Sequence, residues 1–271
     1  MAEQKKYKAG TFFHHICQAA RERAESVEDT IAWAVKLGYS AAELDADDLE
    51  GTELLAKKGM AVSSIYRNYS WQKGIDKAFM EDHIRIAGRL GASKIMAIPG
   101  FYSGKDHDKA ELEKMHEGMR QLSELAKENG LTLTIEDYDN ALSPIATMDG
   151  MQSFLEAAPG LKVTLDTGNF IFSAEDALKA QQKFLPLIVH AHLKDRLWSR
   201  KGEGDTLECI DGRILYPCAV CDGDIPIREV MRVLSESGYD GYVVAEHFGS
   251  RSYAENMERS ILNMRKEGWV E

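Results

Sequence analysis

Short apolar runs and longer amphipathic stretches alternate along this chain from end to end. The period-two or wholly apolar runs predict strands at residues 11–16, 41–45, 60–66, 93–98, 131–136, 161–166, from 188 onward and at 241–246. Between them, apolar residues at helical spacing predict helices at 26–38, 47–58, 75–90, 109–129, 149–158, from the Ser173–Asp176 segment onward, and at 226–236 and 253–266. Ser26-Val-Glu-Asp29 has the form of a capping box, and Gly38, Gly59, Gly91 and Gly130 stand where helices should stop. Residues 195–224 show neither period and are expected to be an irregular insertion.

Strictly alternating strands and helices imply parallel strands joined by crossover helices. Eight such units in 271 residues suit a closed (β/α)8 TIM barrel better than an open doubly wound sheet. No G-x-G-x-x-G follows the first strand, so a dinucleotide-binding fold has no support. No linker composition interrupts the chain, which is expected to form one domain over residues 1–271.

Four consecutive strands end in groups that chemistry uses. The fifth reads Leu-Thr-Leu-Thr-Ile-Glu136, the sixth Leu-Lys-Val-Thr-Leu-Asp166, and the eighth Tyr-Val-Val-Ala-Glu246. The seventh reads Ile-Val-His190-Ala-His192-Leu-Lys194-Asp195-Arg196, which puts His190, His192 and Lys194 on one face. A parallel barrel carries its chemistry at the carboxyl ends of its strands, so Glu136, Asp166, His192 and Glu246 should converge. Three carboxylates crowded together repel one another unless a cation is shared among them. Oxygen-rich ligation with one imidazole suits Mn²⁺, Mg²⁺ or Co²⁺ better than zinc. Any one of these acids alone would read as a cap or a solvated charge; four on adjacent strands do not. His190, deeper in its strand, and His247, facing away from Glu246, are expected to be hydrogen-bonded core histidines. Lys194 and Asp195 could equally form an exposed local ion pair of little energetic weight.

Composition narrows the partners. A net charge of -11 disfavours nucleic acid, and no run approaches the ~18 apolar residues that a membrane span needs. The first residues lack the apolar core of a signal peptide, so a cytoplasmic location is expected. Cys218-x-x-Cys221, with Cys209 upstream, has thiolate-pair spacing, but a structural zinc takes four ligands; free thiols in a loop are expected. A homo-oligomer is compatible with the sequence, though no apolar stripe calls for one.

Asp166-Thr-Gly-Asn169, His190-Ala-His-Leu-Lys-Asp195, Asp222-Gly-Asp224 and Gly238-Tyr-Asp-Gly-Tyr242 before Glu246 resemble the xylose isomerase-like barrels, the sugar phosphate isomerase/epimerase family. Gly38-Tyr-Ser-Ala-Ala-Glu43-Leu is similar to that family's second strand, and Gly91-Ala-Ser-Lys-Ile to its fourth. The resemblance implies that Glu136, Asp166, His192 and Glu246 hold a divalent metal, and that Glu136 and Glu246 also move protons on opposite faces of a substrate. It implies a small carbohydrate or keto-inositol substrate, contacted by Asn169, Lys194 and His14, the last sharing a face with Phe12 in the first strand. The expected activity is isomerisation or epimerisation through an enediolate. Dehydration of the inosose dehydratase kind is the alternative, since the same intermediate can expel a β-hydroxyl. The ketose 3-epimerase branch carries a His where this chain has Asn169, and an Arg where it has Trp198, which argues against a free ketohexose. Phe101, Tyr102, Trp198, Arg200 and Arg213 are candidates for a lid over a different substrate or, more blandly, loop surface. A related barrel family cleaves DNA at abasic sites with several zinc ions; the charge and the lack of further in-register ligands argue against it. A sugar-binding protein without catalysis is disfavoured by the complete ligand set.

Overall fold

The computed structural model describes residues 5–271. Its strands are β1 (Ala9–Phe12), β2 (Ala41–Asp45), β3 (Ala61–Asn68), β4 (Lys94–Ile98), β5 (Thr132–Ile135), β6 (Lys162–Asp166), β7 (Ile188–Leu197), β8 (Leu207–Glu208), β9 (Ile214–Cys218) and β10 (Val243–Glu246). β1 to β7 pair in sequence order, all parallel, and β10 pairs with both β7 and β1, which closes an eight-stranded barrel. The helices are α1 (Phe13–Arg23), α2 (Val27–Leu37), α3 (Glu53–Lys57), α4 (Lys77–Leu90), α5 (Lys109–Glu128), α6 (Met148–Ala157), α7 (Ala177–Phe184), α8 (Ile227–Glu236) and α9 (Tyr253–Lys266). Together they make a (β/α)8 TIM barrel.

Local signals account for the helix ends. Ser26 Oγ accepts from the Asp29 N–H at 3.1 Å to open α2, and Gly38, at φ +112°, closes it in a left-handed turn that an L side chain resists. In α8 the buried residues are Ile227, Val230, Met231 and Leu234, one apolar stripe at helical spacing turned to the sheet. The main core lies between strands and helices, where Ile16, Ala34, Met119, Phe154, Phe184 and Ile261 are fully buried. Among the described residues, no helix is long and apolar enough to cross a membrane.

Three segments differ from the sequence expectation. The first strand ends at Phe12, and Phe13 to Arg23 coil as α1 with Phe13, Ile16, Ala19 and Ala20 buried. The apolar residues there follow a helical period that the short 11–16 window conceals. The helix expected at 47–58 shrinks to α3, because Asp45 Oδ1 takes the Asp47 N–H at 2.9 Å in a turn and Gly51 sits at φ +80°. The insertion is ordered: β7 runs on past the barrel to Leu197 and pairs antiparallel with β9, which pairs with β8. Asp195 fastens this excursion, accepting from the Arg196 and Gly223 N–H groups at 2.9 Å each and from Ile225 at 3.3 Å. It is a buried staple, so the exposed Lys194–Asp195 ion pair is not what these residues form.

Candidate active site and metal centre

The carboxyl ends of β5, β6, β7 and β10 are neighbours, and register sets Asp166 beside His192 and Glu246 beside Lys194. One donor atom each from Glu136, Asp166, His192 and Glu246 lies within 4.8 Å of all the others. His192 Nδ1 lies against Glu136 Oε1 and 3.3 Å from Glu246 Oε2. The turn after β6 orients Asp166: Oδ1 accepts from the Gly168 and Asn169 N–H groups, both at 2.7 Å, while Oδ2 is left free. Asp166 Oδ2 is buried with no partner, and the buried Glu136 Oε1 and His192 Nδ1 meet mainly each other. Buried polar atoms without partners are rare and costly. An orphaned carboxylate oxygen converging with two more carboxylates and an imidazole nitrogen fits a divalent cation with oxygen-rich ligation.

Electrostatics agree with that fit. Burial pushes Glu136 up to about 7; the nearby imidazole of His192 opposes the rise and the Glu246 carboxylate adds to it. Asp166 is raised well above the usual carboxylate range by burial, against the pull of Lys194 and with the push of Glu246 and Glu136. Glu246 goes the other way, because Lys194 and His192 outweigh its burial. For His192, burial disfavours the charge but the Glu136 and Glu43 carboxylates prevail and raise it. Without a cation the cluster therefore collects protons; with one, the same groups can all be ionised.

Lys194 is almost completely buried, donating to Asn169 Oδ1 at 2.6 Å and to Glu246 Oε1 at 2.7 Å. Thr167 clips it in place, its hydroxyl donating to the Lys194 carbonyl and accepting the Lys194 N–H at 2.8 and 2.9 Å. Gly168 is required here, since a Cβ would stand 2.8 Å from the Lys194 carbonyl oxygen. Asn169 gives its amide N–H to the Asp137 carbonyl at 2.8 Å, so both ends of its side chain are engaged by protein.

A cavity of about 380 Å³ opens over the cluster, walled by Phe12, Tyr66, Ile98 and Tyr138 and roofed by Thr206 and Leu207. Glu136, Glu246, Lys194 and Asn169 line it, while Asp166 and His192 are fully buried behind them. His14 is not among its lining residues: on α1 its ring stacks on Phe248 at 5.4 Å and lies 3.2 Å from the Gln18 amide. None of the lid candidates Phe101, Tyr102, Trp198, Arg200 and Arg213 lines this cavity. Arg213 stacks on Trp198 away from the cavity, and residues 205–207 cross it instead, pinned where the Asp205 N–H donates to the Gly249 carbonyl at 2.7 Å. A larger open cleft of about 910 Å³ beside this strap contains no carboxylate–imidazole cluster. His190 and His247 are core histidines, bonded to Glu43 at 2.8 Å and to Ser260 at 2.8 Å. All four cysteines are free thiols.

Three charged residues of the site escaped the sequence reading. Arg196 has no role in the sequence pattern, yet β7 continues far enough to bury it and to line the cavity with it. Its partner Asp139, at 2.9 Å, lies in the loop after β5, where no periodicity marks it. Glu43 left a signal: a carboxylate inside the apolar run Ala-Ala-Glu-Leu.

Residues 31–267 match the xylose isomerase-like TIM barrel family. The chain belongs to that family. Among curated relatives, an inosose dehydratase of Clostridium perfringens is 27% identical over 203 residues, 69% of this chain and 67% of the relative. Among solved structures, the probable 3-DHS dehydratase AsbF of Bacillus anthracis superposes with a TM-score of 0.73 at 17% identity, covering 96% of this chain and 98% of the other. A D-allulose 3-epimerase of Methylomonas sp. does so with a TM-score of 0.71 at 14% identity, covering 98% and 100%. At those identities the two structures speak for the fold that this family member shares.

Proposed function

We propose that this chain is a divalent-metal-dependent enzyme that removes a proton next to the carbonyl of a neutral polyhydroxylated ketone, a keto-inositol or keto-sugar. The convergence of three carboxylates and one imidazole at adjacent strand ends, with Asp166 Oδ2 buried and unpartnered among them, carries this reading. Glu136, Asp166, His192 and Glu246 would hold the metal, whose chemistry when bound is to polarise the ketone and offset the charge of an enediolate. Glu136 turns Oε1 towards His192, which leaves Oε2 to take the proton from carbon. In dehydration the proton taken by Glu136 leaves with the expelled β-hydroxyl as water, in epimerisation Glu246 would serve the opposite face, and in both the Lys194 ammonium stands beside the developing negative charge.

The cavity's charge supports a substrate without phosphate or carboxylate. Its two cations, Lys194 and Arg196, are engaged by Glu246 and Asp139, and Asp45 and Asp205 add further negative charge to its wall. An anionic substrate would meet net repulsion.

Two outcomes share the first step: return of the proton gives isomerisation or epimerisation, and loss of a β-hydroxyl as water gives dehydration. The relatives named inosose dehydratase favour dehydration of a keto-inositol, which is the outcome we propose. The test is proton NMR in D₂O on metal-depleted protein before and after Mg²⁺, with scyllo-inosose and a panel of keto-sugars. The expected result is Mg²⁺-dependent loss of a ring C–H signal with formation of the dehydrated product, absent in Glu246→Gln. Deuterium uptake with an isomeric product would give the reaction to the epimerase reading. No exchange on any substrate, with one Mg²⁺ bound, would overturn the enzyme reading.

A further inference from the structure

A buried carboxylate lies behind the site, on the opposite wall. Glu43, on β2, is 1% exposed, and its Oε2 is 2.8 Å from His190 Nε2 and 2.9 Å from His192 Nε2. Both histidines are completely buried, and their ring planes stand 80° apart. A carboxylate only accepts hydrogen bonds, so each ring must carry a proton on Nε2. Once His192 gives up its other proton, as a ligand must, the lone pair is on Nδ1, the atom that faces Glu136 and Glu246. One oxygen thus selects the tautomer of two imidazoles and sets the angle of the one aimed at the cluster.

We propose that Glu43 is a positioning residue for the metal centre, holding His192 as the Nε2–H tautomer so that Nδ1 is presented as the ligand atom. His190 is the second strut: by sharing Oε2 it pins the carboxylate so that Glu43 cannot swing towards the cluster. The proposal rests on the reading of His192 as a metal ligand. Partners of this kind on the far nitrogen of a ligating histidine tune affinity by about ten- to hundredfold.

The chemistry at position 43 is demanding. Glu43 Oε1 has no hydrogen-bond partner. A Gln there either buries an amide N–H₂ with nothing to accept it, or turns that amide onto the two rings. In the second case the rings must accept at Nε2, and His192 then carries its proton on Nδ1, where the metal should bind.

The test uses ¹⁵N-labelled protein loaded with Zn²⁺ as a diamagnetic probe, and calorimetric titration of metal-depleted protein with Mn²⁺. The expected result is a slowly exchanging Nε2–H and a metal-shifted Nδ1 for His192 in the wild type. Glu43→Gln should bind Mn²⁺ about ten- to hundredfold more weakly, and Glu43→Asp, which keeps the carboxylate, should recover part of the loss. A wild-type spectrum with metal on Nε2 and the proton on Nδ1 overturns the proposal even if no variant folds. Unchanged Mn²⁺ affinity in folded Glu43→Gln, with a large loss in His192→Gln, overturns it and leaves the site reading intact. Unchanged affinity in His192→Gln overturns both. Two Mn²⁺ per chain, one of them lost in Glu43→Gln, would make Glu43, His190 and His192 a second metal site instead.

Discussion

The protonation of the metal-free cluster should be visible in stability, and Glu136 is the group to perturb. Its carboxyl lies at about 7 in the fold against 4.5 in the open chain. A carboxyl raised on folding contributes stability that is full below 4.5 and is lost as pH rises through about 7. Between pH 5 and pH 8 the loss is on the order of 2–3 kcal/mol. At the usual unfolding entropy per residue, this is roughly 4 °C in Tm for a chain of this length. Other groups titrate in the same range: burial holds His83 and His247 down at about 4, and such histidines add stability as pH rises towards 6.5. They are common to wild type and Glu136→Gln, so the readout is the difference between the two proteins. Differential scanning calorimetry of both, stripped of metal, should show wild type losing roughly 4 °C relative to the variant between pH 5 and pH 8. Added Mg²⁺ competes with those protons, so its stabilisation of wild type should grow with pH, reaching about 2.7 kcal/mol at a hundredfold excess over Kd. A wild-type-minus-variant difference that is flat with pH would refute the raised carboxyl. A Mg²⁺ shift equal at both pH values would place the metal elsewhere than this cluster.

Two further perturbations probe the site. Lys194→Met strips a buried ammonium from Glu246 Oε1 and Asn169 Oδ1, and should cost about 3 kcal/mol of stability and about a hundredfold in kcat, read by calorimetry and turnover. Gly204→Ala places a side chain at φ +102° with its Cβ 2.5 Å from the Gly249 carbonyl oxygen. It should displace the strap over the cavity and raise KM by about tenfold, since a strained left-handed residue costs about 1–2 kcal/mol, while the melting temperature of the barrel stays put; an unchanged KM would show that the strap does not cover the substrate.

How legible the chain was depended on what each signal measures. The strand at 41–45, the Ser26 cap, the helix at 253–266 and most glycine stops fall where the pattern put them, because each is decided by neighbours in sequence. The first helix was lost because the apolar cluster from Phe12 to Ile16 satisfies a strand window before it satisfies a helical one, and this put His14 on the wrong element. The hairpin of β8 and β9 was missed because β8 is only two residues long and β9, though apolar, carries Pro217, a residue that counts against a strand.

Local sequence was enough to place Glu136, Asp166, His192 and Glu246 at the ends of four strands and, given parallel pairing, on one rim. A strand's period of two sets which side chains point inward, and pairing order sets which strands are neighbours. Only the closed tertiary structure decided what meets across the barrel. Glu43 reaches His190 over 147 residues of chain, and Arg196 finds Asp139 in a loop on another strand. Those contacts depend on how the sheet curls and staggers when β10 joins β7 to β1. That geometry belongs to the whole ring, and no single segment carries it.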